Sequence, residues 1–145
     1  MSEIQYDENG YQIIPCKIVL VGQSGVGKTN IITKYVNNEF TEDTESTNGA
    51  SFASKEISYD KLKKTLKMEI WDTAGQEKFR SLTRFFYKDA AIAILVYDIT
   101  RKDSFEELKT YWIGQINQFA NKNISKIYFI LYLILFYYRI RDCWE

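Results

Sequence analysis

The eight residues GQSGVGKT, at positions 22–29, have the types and the spacing of a loop that binds phosphate. They complete the pattern G-x-x-x-x-G-K-[ST], with an apolar run before them and a segment of helical periodicity after them. Glycines let successive backbone N–H groups turn toward phosphate oxygens, and the following helix adds its positive end. We therefore expect Lys28 to reach the β- and γ-phosphates of a nucleoside triphosphate, and Thr29 to offer its hydroxyl to Mg²⁺. The motif alone does not choose between ATP and GTP.

The stretch WDTAGQE, at residues 71–77, supplies a second set of groups at the end of a predicted strand. Asp72 could hold the metal through its water shell. The N–H of Gly75 could approach a γ-phosphate closely, because glycine has no side chain, and Gln76 could orient an attacking water. D-x-x-G is a weak signal alone and a strong one after a phosphate loop. It also argues against a P-loop ATPase or kinase.

A polar loop at residues 38–50 is the third candidate part of the site. It contains Thr41, Thr44 and Thr47, and one of these hydroxyls could complete the Mg²⁺ shell when a γ-phosphate is present. Phe40 is an aromatic residue in this polar stretch. It could pack on the edge of a nucleotide base or anchor the loop, and the sequence leaves both interpretations open.

The composition narrows the class of protein. Hydrophobic residues make up 46% of the 145-residue chain, which is enough for one packed domain, and 19 basic residues balance 19 acidic ones. This balance gives no general attraction to nucleic acid. The chain has no histidine, which excludes His-based triads and the usual zinc sites. Cys16 and Cys143 are far apart in sequence, which predicts no disulfide framework and a reducing compartment.

The elements that must position these groups alternate between strands and helices. Ser104 and Glu107 have the spacing of a capping box, so the last predicted helix begins at Ser104. Short apolar runs without alternation predict strands that are buried on both faces. The fold class is therefore α/β, with a mostly parallel central sheet covered by helices on both faces. The predicted strands are 16–21, 51–59, 65–72, 91–97 and 127–133, and the predicted helices are 28–37, 78–87 and 104–119.

Three stretches resemble signatures of the Rab family of Ras-superfamily small GTPases: GQSGVGKT, WDTAGQEKFRSLT and LVYDIT. The resemblance runs over residues 16–126 and implies a P-loop NTPase fold. By position it implies that Thr47 binds Mg²⁺ and senses the γ-phosphate, that Phe40 packs beside guanine and that Gln76 positions the hydrolytic water. The implied metal ligands are Thr29, Thr47 and Asp72. The implied nucleotide contacts are Gly22, Gln23, Ser24, Gly25, Val26, Gly27, Lys28, Thr29, Asn30, Phe40, Thr47 and Gly75.

The same resemblance implies the function. It is GTP binding and slow GTP hydrolysis, coupled to a conformational switch in vesicle trafficking, with GTP or GDP and Mg²⁺ as cofactors. Exchange factors, GTPase-activating proteins and effectors would bind residues 40–52 and 72–87. The chain would be a cytoplasmic monomer without a nucleic-acid partner, and family members act on the cytosolic face of endomembranes.

The sequence also departs from the family pattern. Residues 47–52 read TNGASF where the family has T-I-G-V-[ED]-F, and residues 88–90 read KDA where it has R-G-A. The guanine-reading N-K-x-D is absent after the predicted fifth strand, and we interpret NKNI at 121–124 as a chance match. No prenylation signal is found. The alternative reading is therefore a truncated, non-catalytic fragment with weak, base-unselective nucleotide binding.

The uncharged run at residues 127–138 is short for a membrane span, which needs about twenty residues. Its start coincides with the expected fifth strand, and we interpret residues 127–133 as that strand. We expect a polar N-terminal tail at 1–15, an incomplete small-GTPase domain at 16–135 and a C-terminal tail outside the family pattern at 136–145.

Overall fold

The computed structural model describes residues 4–40, 50–73 and 85–130, and its strands follow the apolar runs of the sequence. The sheet has five strands in the order β2-β3-β1-β4-β5. Strand β1 is parallel to β3 and β4, β4 is parallel to β5, and only β2 runs antiparallel, in a hairpin with β3. The mostly parallel α/β sheet is thus confirmed. The strands are β1 Gln12–Val21, β2 Ala50–Tyr59, β3 Lys64–Thr73, β4 Ile92–Tyr97 and β5 Ser125–Ile130.

Helices cover both faces of this sheet, as predicted. Helix α1 is Lys28–Asn37, α2 is Lys102–Glu107 and α3 is Ile113–Phe119, and a π-helical segment, Leu108–Trp112, joins α2 to α3. Alternate residues of β1 point to opposite faces, because side chains alternate along a strand. One face packs Ile18 and Leu20 with Ile32 of α1, and the other packs Val19 and Val21 with Trp112. Each face therefore has its own buried core.

Strand β1 begins at Gln12, four residues before the predicted start at Cys16. Gln12 pairs with Lys64 of β3, so β3 extends the strand beyond its apolar run. The residues before it are also held, since the carboxylate of Asp7 accepts hydrogen bonds from the N–H of Tyr11 at 2.8 Å and from the Thr65 hydroxyl at 2.5 Å. Residues 12–15, which we expected in the polar N-terminal tail, therefore belong to strand β1, and Asp7 of the same segment contacts β3.

The helix predicted to start at Ser104 starts instead at Lys102, and the predicted capping box is wrong. Ser104 is fully buried, and its hydroxyl bonds the backbone of the preceding loop. Glu107 accepts a hydrogen bond from the indole N–H of Trp112 at 3.0 Å. Both side chains are therefore engaged by other residues of their own loop and helix and do not form the capping box that their spacing allowed.

The remaining predicted elements differ by small amounts or lie partly outside the described residues. Helix α1 has the predicted bounds. Strand β5 begins two residues before the predicted start, and residues 131–133 lie outside the described part of the chain. Of the helix predicted at 78–87, only residues 85–87 are described, and they are helical. None of the helices in the described ranges has the length and apolar character needed to cross a bilayer.

Candidate phosphate and metal site

The predicted site lies at one edge of the sheet. Strands β1, β3 and β4 are parallel, so their carboxyl ends meet at the same edge, where ligands of such sheets bind. The phosphate loop follows β1, Asp72 lies near the end of β3, and the loop at residues 98–101 follows β4. The topology therefore brings together groups that are separated by more than 70 residues of sequence.

Glycine is required at two points of the phosphate loop for two different reasons. A Cβ on Gly22 would lie 2.1 Å from the carbonyl oxygen of Val96, because the loop backbone packs directly against β4. Gly27, the residue before helix α1, has φ +85°, in the left-handed region that glycine adopts without steric cost. The close approach fixes where the loop leaves the sheet, and the left-handed residue turns the chain into the helix.

Lys28 is folded back onto its own loop. Its ammonium donates to the carbonyl oxygens of Gly22 and Gln23, each at 2.9 Å, and the residue is only 6% exposed. Burial, which disfavours the charged form, lowers the pKa of Lys28 from 10.5 to about 8, and the charges of Asp72 and Glu107 act in the opposite direction. A buried cation that is held mainly by neutral carbonyls gains strongly from an anionic partner.

Two oxygen-bearing side chains meet beside this lysine. The hydroxyl of Thr29 donates to Oδ2 of Asp72 at 2.5 Å, and Asp72 is 1% exposed. The next residue, Thr73, donates its hydroxyl to the carbonyl of Leu20 at 2.6 Å, which ties the end of β3 to β1. The predicted proximity of Thr29 and Asp72 is therefore present, and the sheet holds it in place.

The remaining predicted site residues differ in burial, and several lie outside the described part of the chain. Val26 is fully buried in the core beneath α1, so its side chain supports the loop and only its backbone can face a ligand. The side-chain oxygen of Asn30 is buried and lacks a hydrogen-bond partner among the described residues. Phe40 is 40% exposed just beyond α1, and its position leaves both interpretations of its role open. Thr41, Thr44, Thr47, Gly75 and Gln76 lie outside the described residues, so their roles stay predictions.

The NKNI stretch at residues 121–124 lies at the wrong edge of the sheet to contact this site. It forms a turn, with a hydrogen bond of 3.0 Å from the N–H of Ile124 to the carbonyl of Asn121, directly before β5. Strand β5 is parallel to β4, so its amino end lies at the edge opposite the phosphate loop. This placement agrees with the interpretation of NKNI as a chance match.

Sequence reasoning missed the loop after β4. In that loop Arg101 contacts the phosphate loop and Asp98 accepts a hydrogen bond from the N–H of Thr100 at 2.8 Å, and Asp103, in the first turn of helix α2, accepts one from Gln23 at 2.9 Å. A signal was available, because a loop that follows a parallel strand next to β1 must emerge beside the phosphate loop. The strand order needed to use that signal could not be read from the residues alone.

The donor set fits a polyphosphate with Mg²⁺. A hydroxyl and a carboxylate oxygen at 2.5 Å are the hard ligands that Mg²⁺ prefers, and a buried ammonium lies on the adjacent loop. The positive end of helix α1 and the left-handed Gly27 complete a concavity of backbone N–H groups suited to an anion. Thr29 and Asp72 are the described residues that would hold the metal.

Comparisons with known proteins agree with this geometry. The family model described as Ras family matches residues 17–131. The chain is 44% identical over 108 residues to the Ras-related protein YPTC6 of Chlamydomonas reinhardtii, which covers 74% of this chain and 49% of that protein. It is 46% identical over 123 residues to the GTP-binding protein ypt4 of Schizosaccharomyces pombe, and the match covers 83% of this chain and 52% of that protein. It is 42% identical over 111 residues to the Ras-related protein Rab-2B of Dictyostelium discoideum, and the match covers 77% of this chain and 54% of that protein. The chain thus spans about half the length of the curated relatives it matches.

Proposed function

The chain belongs to the Ras family, and from that premise we propose that it is a Rab-like small GTPase. It binds guanine nucleotide with Mg²⁺, hydrolyses GTP slowly and couples the two nucleotide states to a conformational switch in vesicle trafficking. The observation that carries the proposal is the convergence of Lys28 and the Thr29–Asp72 pair at the carboxyl edge of the sheet. The relatives' printed names, Ras-related and GTP-binding, support guanine as the base.

Each described group has a defined task in this proposal. The backbone N–H groups of residues 22–29 bind the phosphate oxygens, and the Lys28 ammonium, which binds two loop carbonyls, contacts the β- and γ-phosphates. Thr29 and Asp72 hold the metal, directly or through its water. When bound, Mg²⁺ supplies positive charge that stabilises the phosphate oxygens during cleavage.

The catalytic and sensing residues outside the described ranges complete the proposal. Gln76 orients the water that attacks the γ-phosphate, and the N–H of Gly75 approaches that phosphate closely. Thr47 adds its hydroxyl to the metal shell when the γ-phosphate is present. Residues 16–135 form the nucleotide-binding unit, an assignment supported by the family match over residues 17–131.

We place the partners on the surface formed by residues 40–52 and 72–87. Trp71 lies directly beside the described part of that surface, with its ring 5.2 Å from that of Phe52 and 5.3 Å from that of Phe86. Phe52 is 53% exposed, and exposed aromatic rings are typical of the central contacts of protein interfaces. Exchange factors, GTPase-activating proteins and effectors would bind the monomer here, on the cytosolic face of endomembranes.

Fluorescent nucleotide binding tests the proposal. Titration of the purified chain with mant-GTP and with mant-ATP should give much tighter binding of the guanine nucleotide, and added GTP should be hydrolysed slowly. Gln76→Leu should slow hydrolysis and leave binding unchanged. Weak binding without a preference for either base would overturn the proposal and favour a non-catalytic fragment.

A further inference from the structure

The loop after β4 reaches the phosphate loop through one arginine. The guanidinium of Arg101 donates through Nη1 to the carbonyl oxygen of Ser24 at 3.3 Å and through Nη2 to Oε1 of Gln23. The amide of Gln23 donates in turn to Oδ2 of Asp103 at 2.9 Å, and Asp103 forms an ion pair with Arg101 at 3.6 Å. These three side chains, Gln23, Arg101 and Asp103, form a closed ring of polar contacts that we call the arginine clamp.

The clamp holds one particular peptide plane. The carbonyl of Ser24 and the N–H of Gly25 belong to the same trans peptide and point in opposite directions. Gly25 has φ +76°, and glycine adopts either sign of φ readily, so this peptide is not fixed by its own sterics. Because Arg101 binds the carbonyl of Ser24, the N–H of Gly25 is directed away from the arginine.

Two cations thus hold three consecutive carbonyls of the loop. Lys28 binds the carbonyls of Gly22 and Gln23, and Arg101 binds that of Ser24. The Lys28 ammonium has three N–H donors, so it can contact a phosphate without giving up both carbonyls, and Arg101 can keep its carbonyl as well. A guanidinium also presents several N–H donors in a fixed plane, which suits it to bridge a backbone carbonyl and an amide oxygen at once.

The loop that carries Arg101 is itself anchored to the core. Ser104 is fully buried, and its hydroxyl donates to the carbonyl of Arg101 at 2.7 Å and accepts from the N–H of Asp98 at 3.1 Å. Side chains held on an anchored loop can impose a geometry on their neighbours. The ring also lowers the pKa of the exposed Asp103 carboxyl, chiefly through the hydrogen bond from Gln23.

We propose that Arg101 is a positioning residue of the phosphate site: clamped by Gln23 and Asp103, its guanidinium orients the Gly25 N–H for a phosphate oxygen and thereby raises the affinity for polyphosphate. The proposal rests on the proposed function only in taking the ligand to be the phosphate chain of a nucleotide. It does not depend on the identity of the base or on hydrolysis.

The test measures the affinity of the full chain for inorganic tripolyphosphate, by calorimetry, and the release rate of mant-GDP. In Arg101→Ala we expect tripolyphosphate to bind about tenfold more weakly, which corresponds to the loss of one charge-assisted hydrogen bond, and mant-GDP to leave faster by a similar factor. Arg101→Lys should recover only part of this, because it keeps the charge and loses the planar fork. Lys102→Ala removes a neighbouring exposed cation and is the matched control, with little change expected.

The direction in which Asp103→Ala changes the tripolyphosphate affinity distinguishes positioning by the clamp from a general effect of charge. Removal of a negative charge near the site would by itself strengthen anion binding. The clamp instead requires weaker binding, because Gln23 and Arg101 lose a shared partner. Arg101 and Asp103 have side chains that are 38% and 63% exposed, so we expect the melting temperature without ligand to stay within about 2 °C of the parent.

The outcomes separate this proposal from the proposed function. Equal tripolyphosphate affinity in the parent and Arg101→Ala, full recovery by Arg101→Lys, or tighter binding by Asp103→Ala would overturn the clamp while GTP binding stands. Arg101→Ala and Asp103→Ala could lose tripolyphosphate affinity as expected while the parent chain does not prefer GTP to ATP. That result would support the clamp and overturn the GTPase proposal. A parent chain that binds neither tripolyphosphate nor GTP would overturn both.

Discussion

The hydroxyl of Thr29 donates a hydrogen bond of 2.5 Å to Oδ2 of Asp72, and this contact joins the first turn of helix α1 to the end of strand β3. The two residues are separated by 43 positions in sequence. Their contact depends on the parallel pairing of β1 with β3, which sets Leu20 opposite Asp72. The oxygen pair is therefore a product of sheet register, and it places the predicted metal ligands beside the phosphate loop.

Replacement of Thr29 tests this oxygen pair. Thr29→Val keeps the shape of the side chain and removes the hydroxyl. In this variant we expect the factor by which Mg²⁺ slows mant-GDP release to fall by about tenfold or more. Thr29→Ser keeps the hydroxyl and is the matched control. The measurement is the mant-GDP release rate with Mg²⁺ and with EDTA. An unchanged dependence on Mg²⁺ in Thr29→Val would contradict the assignment of this hydroxyl to the metal.

Lys28 should make the stability of the nucleotide-free chain depend on alkaline pH. Its pKa is about 8 in the folded chain and 10.5 as the ordinary value, so between these limits the unfolded chain binds more protons than the folded chain. The contribution of Lys28 to the free energy of unfolding should therefore rise as pH increases from about 8 to 10.5, by up to about 3 kcal/mol. Urea unfolding at several pH values measures it.

The variant Lys28→Met should remove this rise and be more stable than the parent at pH 7, because it no longer buries a charge. It should also lose nucleotide binding. Lys61→Met, at an exposed turn residue, is the matched control and should keep the pH dependence of the parent. If Lys28→Met were less stable than the parent at pH 7, burial of the Lys28 ammonium would not destabilise the nucleotide-free chain, and the prediction would be wrong.

Two glycines offer a matched pair for the close packing of the phosphate loop. In Gly22→Ala the new Cβ would lie 2.1 Å from the Val96 carbonyl oxygen, so we expect a loss of several kcal/mol in the free energy of unfolding. Gly114 lies in helix α3 with nothing within 4 Å of an added Cβ. Gly114→Ala should be more stable by about 0.5–1 kcal/mol, because alanine favours the helix. Urea unfolding of both variants compares them, and equal effects would contradict the described loop packing.

Asp89 is a site where glycine should improve stability. It is exposed, with φ +61°, in the left-handed region that costs a residue other than glycine about 1 kcal/mol. Asp89→Gly should therefore raise the free energy of unfolding by about 0.5–1 kcal/mol. Asp89→Ala is the control and should be no more stable than the parent, since alanine tolerates this conformation less well than aspartate. A larger gain from alanine than from glycine would show that the backbone angle is not the cause.

Local sequence was a good guide where neighbouring residues decide the structure. Helix α1 begins and ends where its periodicity predicted, and Gly27 takes the left-handed angle that the glycine-rich pattern implied. Strand β2 begins one residue before its predicted start, and strand β3 extends one residue beyond each of its predicted ends. Strand pairing and burial overrode the same reasoning elsewhere: Gln12 joined β1 through its pairing with β3, and the buried Ser104 bonds the loop before its helix instead of capping that helix.

The sequence by itself indicated the phosphate loop, the α/β class and Lys28, Thr29 and Asp72 as candidate site residues, because these follow from backbone freedom, apolar periodicity and side-chain chemistry. Only the tertiary structure decided which side chains share the site. Arg101 reaches Ser24 across 77 positions because β4 lies next to β1 in the sheet. Strand order is set by the packing of the whole core, and no short stretch of residues encodes it.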